Sequence, residues 1–397
     1  MIYLDNNATT RVAPEVREAM LPWLDDHYGN PSAGYRFGRE SRKAIDAARE
    51  QVAALIGSHP EEVVFTSGGT ESNNTAIRSA LAVRPDRKGV VTSTAEHSAV
   101  DEVVKELGES GYETSFVGVD EDGALDLDEW KNALAKEGVA VASLIWANNE
   151  TGVLSAIAEA ARIAAEHDVY FHTDAVQAVG KIPLSVGELP IHALSLSGHK
   201  FHGPKGIGAL YLNRNSRFHP LIIGGGQEDE RRSGTENVPA IVGMGVAAEL
   251  AKAALESANE IRDLRDRFEK GVLEVIEGAE INGDPVNRLP NTSNLYFPGV
   301  DGEGLLILLD EAGICCSPGS ACSTGAVKPS RIVRAMGHSS SRARSSVRFS
   351  FSRFSTEDEV GAAITAIRTA VGKLRVVMPS SSSRVVKSSA TRSTDTV

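Results

Sequence analysis

The sequence predicts an α/β protein in which helices cover both faces of a largely parallel sheet, followed by a smaller α+β domain. Three observations carry this prediction. Between residues 63 and 212, short apolar runs alternate with segments of helical periodicity, which is the spacing of βαβ units. From residue 279 the apolar runs become shorter, after a mostly helical, alanine-rich stretch over 237–277. The chain of 397 residues is also too long for one compact core.

The individual elements follow from apolar periodicity and from the positions of Gly and Pro. Pro14 suits the first turn of a helix, and the long amphipathic segment 37–56 places its apolar residues on one face. The predicted helices are 14–24, 37–56, 71–82, 100–110 and 158–167, and the predicted strands are 63–66, 89–93, 139–146, 169–173, 193–196, 208–212, 292–297 and 346–352.

These elements divide the chain into domains. We assign residues 14–253 to the large domain. Residues 1–13 and 254–378 are assigned to the small one, because the N-terminal arm has no core of its own. Residues 379–397 are rich in Ser and Thr and almost lack large apolar side chains, so we expect a disordered tail.

Composition excludes several function classes. A net charge of −12 argues against a generic nucleic-acid surface, because phosphates attract positive charge. We find no apolar run of about 20 residues, which a membrane span requires, and no leader-like N-terminus. Three cysteines, two of them adjacent, make no disulfide framework. They fit a reducing cytoplasm, where we expect the protein to reside.

One lysine follows a strand end, where ligands bind in open α/β sheets. The apolar run 191–196 predicts a buried strand that stops before Gly198, so His199 and Lys200 follow its carboxyl end. A desolvated lysine there can form a Schiff base with a carbonyl cofactor. An ordinary surface lysine beside glycines is the alternative.

A glycine-rich turn, T-S-G-G-T-E-S-N-N over 66–74, lies between a predicted strand and a predicted helix. Gly69 and Thr70 offer backbone N–H groups and a hydroxyl to an anion at the helix N-terminus. A plain turn with a helix cap is the alternative, and the turn alone does not decide between them.

The stretch H-T-D-A-V-Q over 172–177 places Asp174 at the end of an apolar strand, where an unpaired carboxylate is costly. A pyridinium nitrogen, as in pyridoxal phosphate, removes that cost, and Gln177 can reach a phenolic oxygen of the same ring. An aspartate that caps the next helix is the alternative. Because Lys200 ends the next strand along, we favour the cofactor interpretation.

Two further side chains have chemical potential. His97 follows a strand and can stack on a cofactor ring or move a proton near neutral pH, or it simply caps a helix. Cys322, in S-P-G-S-A-C-S-T-G over 317–325, lies among small residues and suits an exposed thiolate nucleophile. Cys315 and Cys316 follow an apolar run and are expected to be buried. A metal site on the three cysteines lacks a ligand pair with structural-zinc spacing.

Eight stretches together resemble cysteine desulfurases of the NifS/IscS type. These are pyridoxal-phosphate enzymes of the class V aminotransferases with the aspartate-aminotransferase fold, fold type I. The stretches run in family order from Tyr3 to Ser350, and the resemblance implies a mostly parallel seven-stranded sheet in the large domain. They are Y-L-D-N-N-A-T-T, S-G-G-T-E-S-N-N, A-N-N-E-T-G, F-H-T-D-A-V-Q-A-V-G-K, S-G-H-K-F-H-G-P-K-G, R-R-S-G-T-E-N, G-S-A-C-S-T-G and S-S-V-R-F-S.

The resemblance implies a role for each matching residue. Lys200 is the Schiff-base lysine and moves protons between the substrate and the cofactor. Asp174 pairs with the pyridinium nitrogen and Gln177 with the ring hydroxyl. His97 lies over the ring and assists proton transfer, whereas Cys322 attacks the substrate sulfur.

The remaining implied roles concern binding. Asn149 and Arg348 bind the substrate carboxylate, and Arg348 offers a bidentate fork. Thr235 completes the phosphate site from a second subunit, so a homodimer is implied. The residues of the same chain that hold the phosphate are Gly69, Thr70, Ser197 and His199.

The implied reaction converts L-cysteine to L-alanine and leaves a persulfide on Cys322. It supplies sulfur to an acceptor protein such as an iron–sulfur scaffold, or to related thio-cofactor and tRNA pathways. No metal, nucleic acid or membrane is implied. The sequence departs from the family pattern at Pro318, where a second serine is usual, which stiffens the hinge of the cysteine loop.

Two other functions remain open. A selenocysteine lyase on the same fold would use the same lysine and aspartate. A non-catalytic scaffold would keep the fold and only bind partners. The intact set of Lys200, Asp174, His97 and Cys322 argues against the scaffold.

Overall fold

A computed structural model describes residues 1–318 and 329–377. Cys322 and the predicted tail over 379–397 lie outside the described residues. The strands are β1 (Ile2–Tyr3), β2 (Val63–Thr66), β3 (Gly89–Ser93), β4 (Glu113–Val117), β5 (Val139–Ile145), β6 (Tyr170–Asp174), β7 (Ala193–Ser197), β8 (Gly208–Leu212), β9 (Glu280–Ile281), β10 (Thr292–Tyr296), β11 (Ile314–Cys315), β12 (Ser317–Pro318) and β13 (Ser346–Ser350). The α-helices are α1 (Pro14–Met20), α2 (Arg36–Ile56), α3 (Gly69–Ala82), α4 (Ser98–Glu109), α5 (Leu127–Leu134), α6 (Ile157–Glu166), α7 (Val238–Ala254), α8 (Ala258–Val275), α9 (Gly302–Glu311), α10 (Arg331–Ala335), α11 (Ser340–Arg344) and α12 (Glu357–Val377).

The described residues contain a seven-stranded sheet in the order β2-β8-β7-β6-β5-β3-β4. The pairs from β4 through β7 are all parallel, so these strands end at the same edge. β8 runs antiparallel to both β7 and β2. The sheet is therefore mostly parallel, as the resemblance implies, with one reversed strand beside β7.

Both faces of this sheet are covered by helices. One apolar core joins the sheet to α2, α5, α6 and α7, and a second joins it to α3 and α4. The strands of the sheet interior are buried over their whole length, for example in β5 and β7. This accounts for their continuous apolar sequence, because strands covered on both faces do not alternate with polar residues.

Two helix ends have clear local causes. α2 stops at Ile56 because Gly57 adopts a left-handed φ of 68°, and its N–H donates to Ala53 O. α4 begins at Ser98 because the His97 side chain accepts from the N–H of Ala99. These caps fix where the connecting loops leave the helices.

Most predicted elements match the structure within one or two residues, and the differences have physical reasons. The sequence prediction omitted β4 and α5. β4 is a partly exposed edge strand with polar residues, and α5 has only eight residues. The helix that began at Pro14 changes to a 3-10 turn over Leu21–Trp23. The helical stretch from 237 breaks into α7 and α8 at the 3-10 turn Leu255–Ser257.

A smaller antiparallel sheet, β12-β13-β10-β9, packs on its own apolar core with α8, α9 and α12. The N-terminal arm joins this part, because β1 pairs in parallel with β11 and Leu4 is buried in the same core. The apolar core of the smaller sheet is separate from the two cores that cover the large sheet. The domain bounds at residues 253 and 254 remain a prediction.

The stretch Val238–Val275 is long and apolar enough to cross a membrane by length and composition alone, in contrast to our expectation. In this fold it forms two helices, and α7 packs against α1 and α2. Ile241, Met244 and Ala248 of α7 are fully or almost fully buried in the larger core. Its apolar composition is therefore explained by packing inside the protein.

A buried ion pair between Glu269 and Arg288 is expected to be critical for stability. Two bonds of 2.6 Å join the side chains, which are 6% and 2% exposed. Glu269→Ala leaves a buried guanidinium without its partner and should cost roughly 3–5 kcal/mol. Urea unfolding measures this as a lower midpoint. Lys270→Ala, at the neighbouring exposed position, is the control. Equal midpoints for the two variants would contradict the expectation.

Candidate active site

A cavity of about 230 Å³ opens at the shared edge where β5, β6 and β7 end. It is lined by residues that follow these strands and by the first turn of α3. Ten of the twelve candidate site residues named from the sequence are among its lining or contact it directly. The lining residues from that set are Gly69, Thr70, His97, Asn149, Asp174, Gln177, Ser197, His199 and Lys200. Arg348 contacts Asn149.

One end of the cavity is built to receive an anion. α3 begins at Gly69 without a side-chain cap, and a second cavity adjoins this turn and the Thr70, Ser197 and Lys205 side chains. An alanine Cβ at Gly69 would come within 2.6 Å of the Val176 side chain, so glycine is required there. Uncapped N–H groups, hydroxyls and the helix dipole favour a phosphate group.

Asp174 lies at the end of β6 and is only 3% exposed. Its carboxylate accepts from Asn73 Nδ2 at 2.6 Å and from the Val176 N–H at 3.0 Å. Within the described ranges it forms no ion pair. A buried carboxylate held only by neutral donors fits a cationic ring nitrogen, which would supply the missing positive charge.

Lys200 ends the short 3-10 turn Gly198–Lys200 that follows β7. Its Nζ donates to the backbone oxygens of Asn7 at 2.6 Å and Ala8 at 2.8 Å. Burial, and then the positive charge of Arg348, lower the pKa of Lys200 to about 8. The amine therefore loses its proton more readily than that of an ordinary lysine, and more of it is available as a nucleophile or base near neutral pH.

His97 is half-buried at the N-cap of α4 and lines the cavity. Its Nδ1 accepts from Ala99 N–H at 3.0 Å, so a neutral ring carries its proton on Nε2. Burial lowers the pKa of His97 below its usual range. The sequence left two roles open for His97, a helix cap or a site residue. In the structure His97 caps α4 and also lines the cavity.

Arg348, on β13, brings a positive charge to this region from the smaller sheet. Its Nη1 donates to Asn149 O at 2.9 Å and its Nη2 pairs with Asp5 at 2.7 Å. The Nε of Arg348 is buried and has no hydrogen-bond partner in the part of the chain that the structure describes. It is the kind of donor that a bound carboxylate could satisfy.

Three candidates are placed differently from the rest. Gln177 lines the cavity, but its amide is engaged, since Nε2 donates to Asn7 O at 2.9 Å and Oε1 accepts from Lys181. Thr235 is exposed and is not part of the cavity lining of this chain. Cys322 lies outside the described residues.

The other two cysteines are half-buried rather than fully buried as expected. Cys315 is the last residue of the short strand β11, and Cys316 follows it. Cys316 packs against the smaller core, and burial raises the pKa of its thiol, which opposes thiolate formation. No cluster of metal-ligating side chains occurs within residues 1–318 and 329–377.

Two functional candidates were missed from the sequence. Asn7 contacts Lys200, Gln177 and Asn149, and Asn73 is the direct partner of Asp174. Both lie in polar stretches that the resemblance covers, D-N-N-A-T-T and E-S-N-N. The resemblance of these stretches to the family was therefore the one indication that they matter. A run of polar residues does not show which of its side chains faces a site.

Comparison with known proteins identifies the family of this chain. The family "Aminotransferase class-V" matches residues 2–362. The chain is 49% identical to "Cysteine desulfurase NifS" of Azotobacter vinelandii over 380 residues, which are 95% of this chain and 94% of that protein. A solved "NifS-like protein" has a TM-score of 0.88 and 36% identity, covering 94% of this chain and all of that one. A solved "SspA in complex with cysteine" has a TM-score of 0.79 and 35% identity, covering 90% of this chain and all of that one.

The fold and the lysine–aspartate cavity at the strand ends define an enzyme of the aminotransferase fold. The chain belongs to the class V aminotransferase family and, within it, to the cysteine desulfurases of the NifS type. This confirms the resemblance that the eight sequence stretches indicated.

Lys200 is expected to react with an amine-selective reagent at lower pH than exposed lysines do. With a pKa of about 8, its amine loses the proton roughly two pH units before an ordinary lysine near 10.4. Reductive methylation of the cofactor-free protein across this pH range, followed by peptide mass spectrometry, measures each lysine separately. Lys200→Arg identifies the peptide. A Lys200 midpoint equal to that of the exposed lysines would show that the amine is not desolvated.

Proposed function

We propose that this protein is a pyridoxal-phosphate-dependent cysteine desulfurase that converts L-cysteine to L-alanine and transfers the sulfur to Cys322. Membership of the NifS-type desulfurases supports the reaction class. The observation that carries the proposal for this chain is the single cavity that brings Lys200, Asp174 and His97 together. An amine, a buried carboxylate and an imidazole around one space are what the chemistry needs.

The residues present fit pyridoxal phosphate. Asp174 would hold the ring nitrogen, because its buried carboxylate has only neutral donors around it. Gln177 lies near enough to the cavity to contact the ring hydroxyl. The phosphate would be held by Gly69, Thr70, Ser197 and His199 at the uncapped start of α3. When bound, this cofactor supplies an electron sink for bond breaking next to the substrate amino group.

Lys200 would anchor the cofactor and then act on protons. Its lowered pKa allows the amine to accept a proton from the substrate Cα and to return one later. The Asn7 and Ala8 carbonyls hold the ammonium when Lys200 carries the proton. His97 faces the same cavity with its Nε2 proton free for donation, which suits it to protonate or deprotonate the reacting groups.

Asn149 and Arg348 would orient the substrate through its carboxylate. They are already joined by the bond from Arg348 Nη1 to Asn149 O, so they act as one unit. Arginine matches a carboxylate with two parallel N–H donors, which fixes direction as well as position.

The sulfur step uses Cys322 as the acceptor. The Cys322 thiolate forms an S–S bond with the substrate sulfur while the substrate C–S bond breaks. The electron pair of the C–S bond stays with the carbon, which takes up a proton and leaves as alanine. One thiol and one cysteine thus give one persulfide and one alanine, with no external oxidant.

We further propose a cytoplasmic homodimer that passes the persulfide sulfur to an acceptor protein for iron–sulfur cluster assembly. Thr235 would complete the phosphate site of the partner subunit, in agreement with its exposure in the single chain. Large apolar side chains that are exposed in the single chain also support a covered surface, among them Leu24, Tyr28, Tyr35, Leu221 and Ile223. A free thiol acceptor requires the reducing conditions of the cytoplasm.

Cys322→Ala is expected to keep cofactor binding but to abolish sulfide release and persulfide formation, because the sulfur acceptor is lost. Peptide mass spectrometry after a short incubation with L-cysteine and no reductant measures the added sulfur, and amino-acid analysis measures alanine. Cys315→Ala is the matched control and should retain activity. Sulfide release by Cys322→Ala at the wild-type rate would disprove the acceptor role.

Lys200→Ala is expected to lose both the covalently held cofactor and all desulfuration. General-base and nucleophilic roles together contribute at least about 10²–10⁴-fold, so the residual rate should fall by more than that range. The visible absorbance of the purified protein and the alanine assay measure the two losses. Lys131→Ala, at an exposed position of α5, should remain yellow and active. A yellow, active Lys200→Ala protein would exclude the proposed role.

A further inference from the structure

The N-terminal arm, defined here as residues 5–10, reaches into the candidate active site. It contacts five of the site residues: Arg348, Lys200, His199, Gln177 and Asn149. Its sequence is D-N-N-A-T-T, so Asp5 is the charged residue of the arm. The reaction outlined above gives this aspartate no task.

Asp5 and Arg348 form a short ion pair inside the protein. Asp5 Oδ1 lies 2.7 Å from Arg348 Nη2, and the two side chains are 16% and 7% exposed. Arg348 Nη1 is engaged at the same time by Asn149 O. Both terminal nitrogens of the guanidinium are therefore held, one from each side, and the plane of the group is fixed.

The backbone fixes the position of Asp5. Ser350 N donates to Leu4 O at 2.7 Å, and Asn6 N donates to Ser350 O, so the residues on either side of Asp5 are tied to β13. Arg348 lies two residues earlier on the same strand. The carboxylate thus reaches Arg348 from a rigid support, and aligning the arginine costs little additional side-chain order.

The pair leaves part of the guanidinium unsatisfied. Arg348 has five N–H donors, and its Nε is buried without a partner in the described ranges. Burying an unsatisfied donor is destabilising, and a buried ion pair is itself a weak source of stability. An arrangement that holds two nitrogens and leaves the buried Nε without a partner is explained better by a role in binding than by stability.

We propose that Asp5 is a positioning residue that orients the Arg348 guanidinium so that its remaining N–H groups receive the α-carboxylate of the amino-acid substrate. This inference rests on the proposed function, which gives Arg348 its substrate. With Asp5 in place, the fork is oriented before the substrate arrives. Binding then does not have to order a long, flexible side chain.

The sign of a mutational effect separates positioning from simple charge neutralisation. Asp5 places a negative charge beside the spot where the substrate carboxylate binds, so by charge alone its removal would tighten binding. If Asp5 positions the arginine, its removal weakens binding because the fork loses its orientation. A merely structural role would lower the unfolding midpoint and leave carboxylate affinity unchanged.

The test uses cofactor-loaded Asp5→Ala and Asp5→Asn enzymes. Asp25→Asn serves as control, since Asp25 is exposed and removal of its charge touches no site residue. Calorimetry measures the dissociation constant of L-alanine, the non-sulfur amino acid of the reaction, and initial rates give KM and kcat for L-cysteine. Asp5→Ala should weaken L-alanine binding about tenfold, the value of one charged hydrogen bond, and raise KM more than it lowers kcat. Asp5→Asn keeps an acceptor of the same shape and should show a smaller effect in the same direction.

Tighter or unchanged L-alanine binding in both Asp5 variants would overturn the proposal. If Asp5→Ala fails to fold, L-alanine binding to the isosteric Asp5→Asn variant alone tests the positioning role of Asp5. Arg348→Lys distinguishes this failure from a failure of the proposed function. If Arg348→Lys weakens L-alanine binding and the Asp5 variants do not, only the role of Asp5 is wrong. If Arg348→Lys also has no effect, the carboxylate site itself is wrong.

Discussion

The buried Asn7 side chain and backbone hold the site together, and most of the geometry described above depends on them. The Asn7 backbone oxygen accepts from Lys200 and Gln177, which come from the large sheet. Its side chain donates to Thr292 and its N–H to the Ser350 hydroxyl, which come from the smaller sheet. Asparagine can do this because it carries both donors and an acceptor at the end of a short side chain. One residue that belongs to neither sheet therefore links the lysine that follows β7 to the strands of the smaller sheet.

Side chains of both charges lie close together in this site. The carboxylates of Asp174 and Asp5 raise the pKa of Lys200 and the guanidinium of Arg348 lowers it, so these effects partly cancel. Burial nevertheless dominates, and it lowers the pKa values of Lys200 and His97 together. A site in which both groups release their protons more easily can exchange protons with a substrate, whereas the same residues at the surface would keep their ordinary pKa values.

Sequence reasoning predicted the parts of the structure that depend on local pattern. Strands buried on both faces have continuous apolar runs, so their ends, and with them Asp174 and Lys200, could be located to within a residue. β4 was missed because an edge strand with polar residues has no such run. α5 was short, although the Asp126 side chain, which accepts from Glu129 N–H, was a detectable helix-start signal.

The contacts that complete the site were not predictable in this way. Asn7, Asp5 and Asn73 act through partners that are far away in the sequence, and no periodicity records such partners. The resemblance to a family covered these residues without assigning them a task. The roles of the matching residues came from that resemblance, while the positions of Gln177 and Thr235 show that a shared motif does not fix which contacts a side chain makes in the single chain.

The pairing of the arm with β13 also has a consequence for the order of events during synthesis. Asn7 leaves the ribosome early, but its partner Ser350 is made 343 residues later. Contacts between residues so far apart in sequence form slowly, because closing the long loop between them costs entropy before the contacts can stabilise the chain. A growing chain can assemble the helices and strands of the large sheet as they emerge. The contacts that tie the arm to β13 cannot form until nearly all of the chain has been translated.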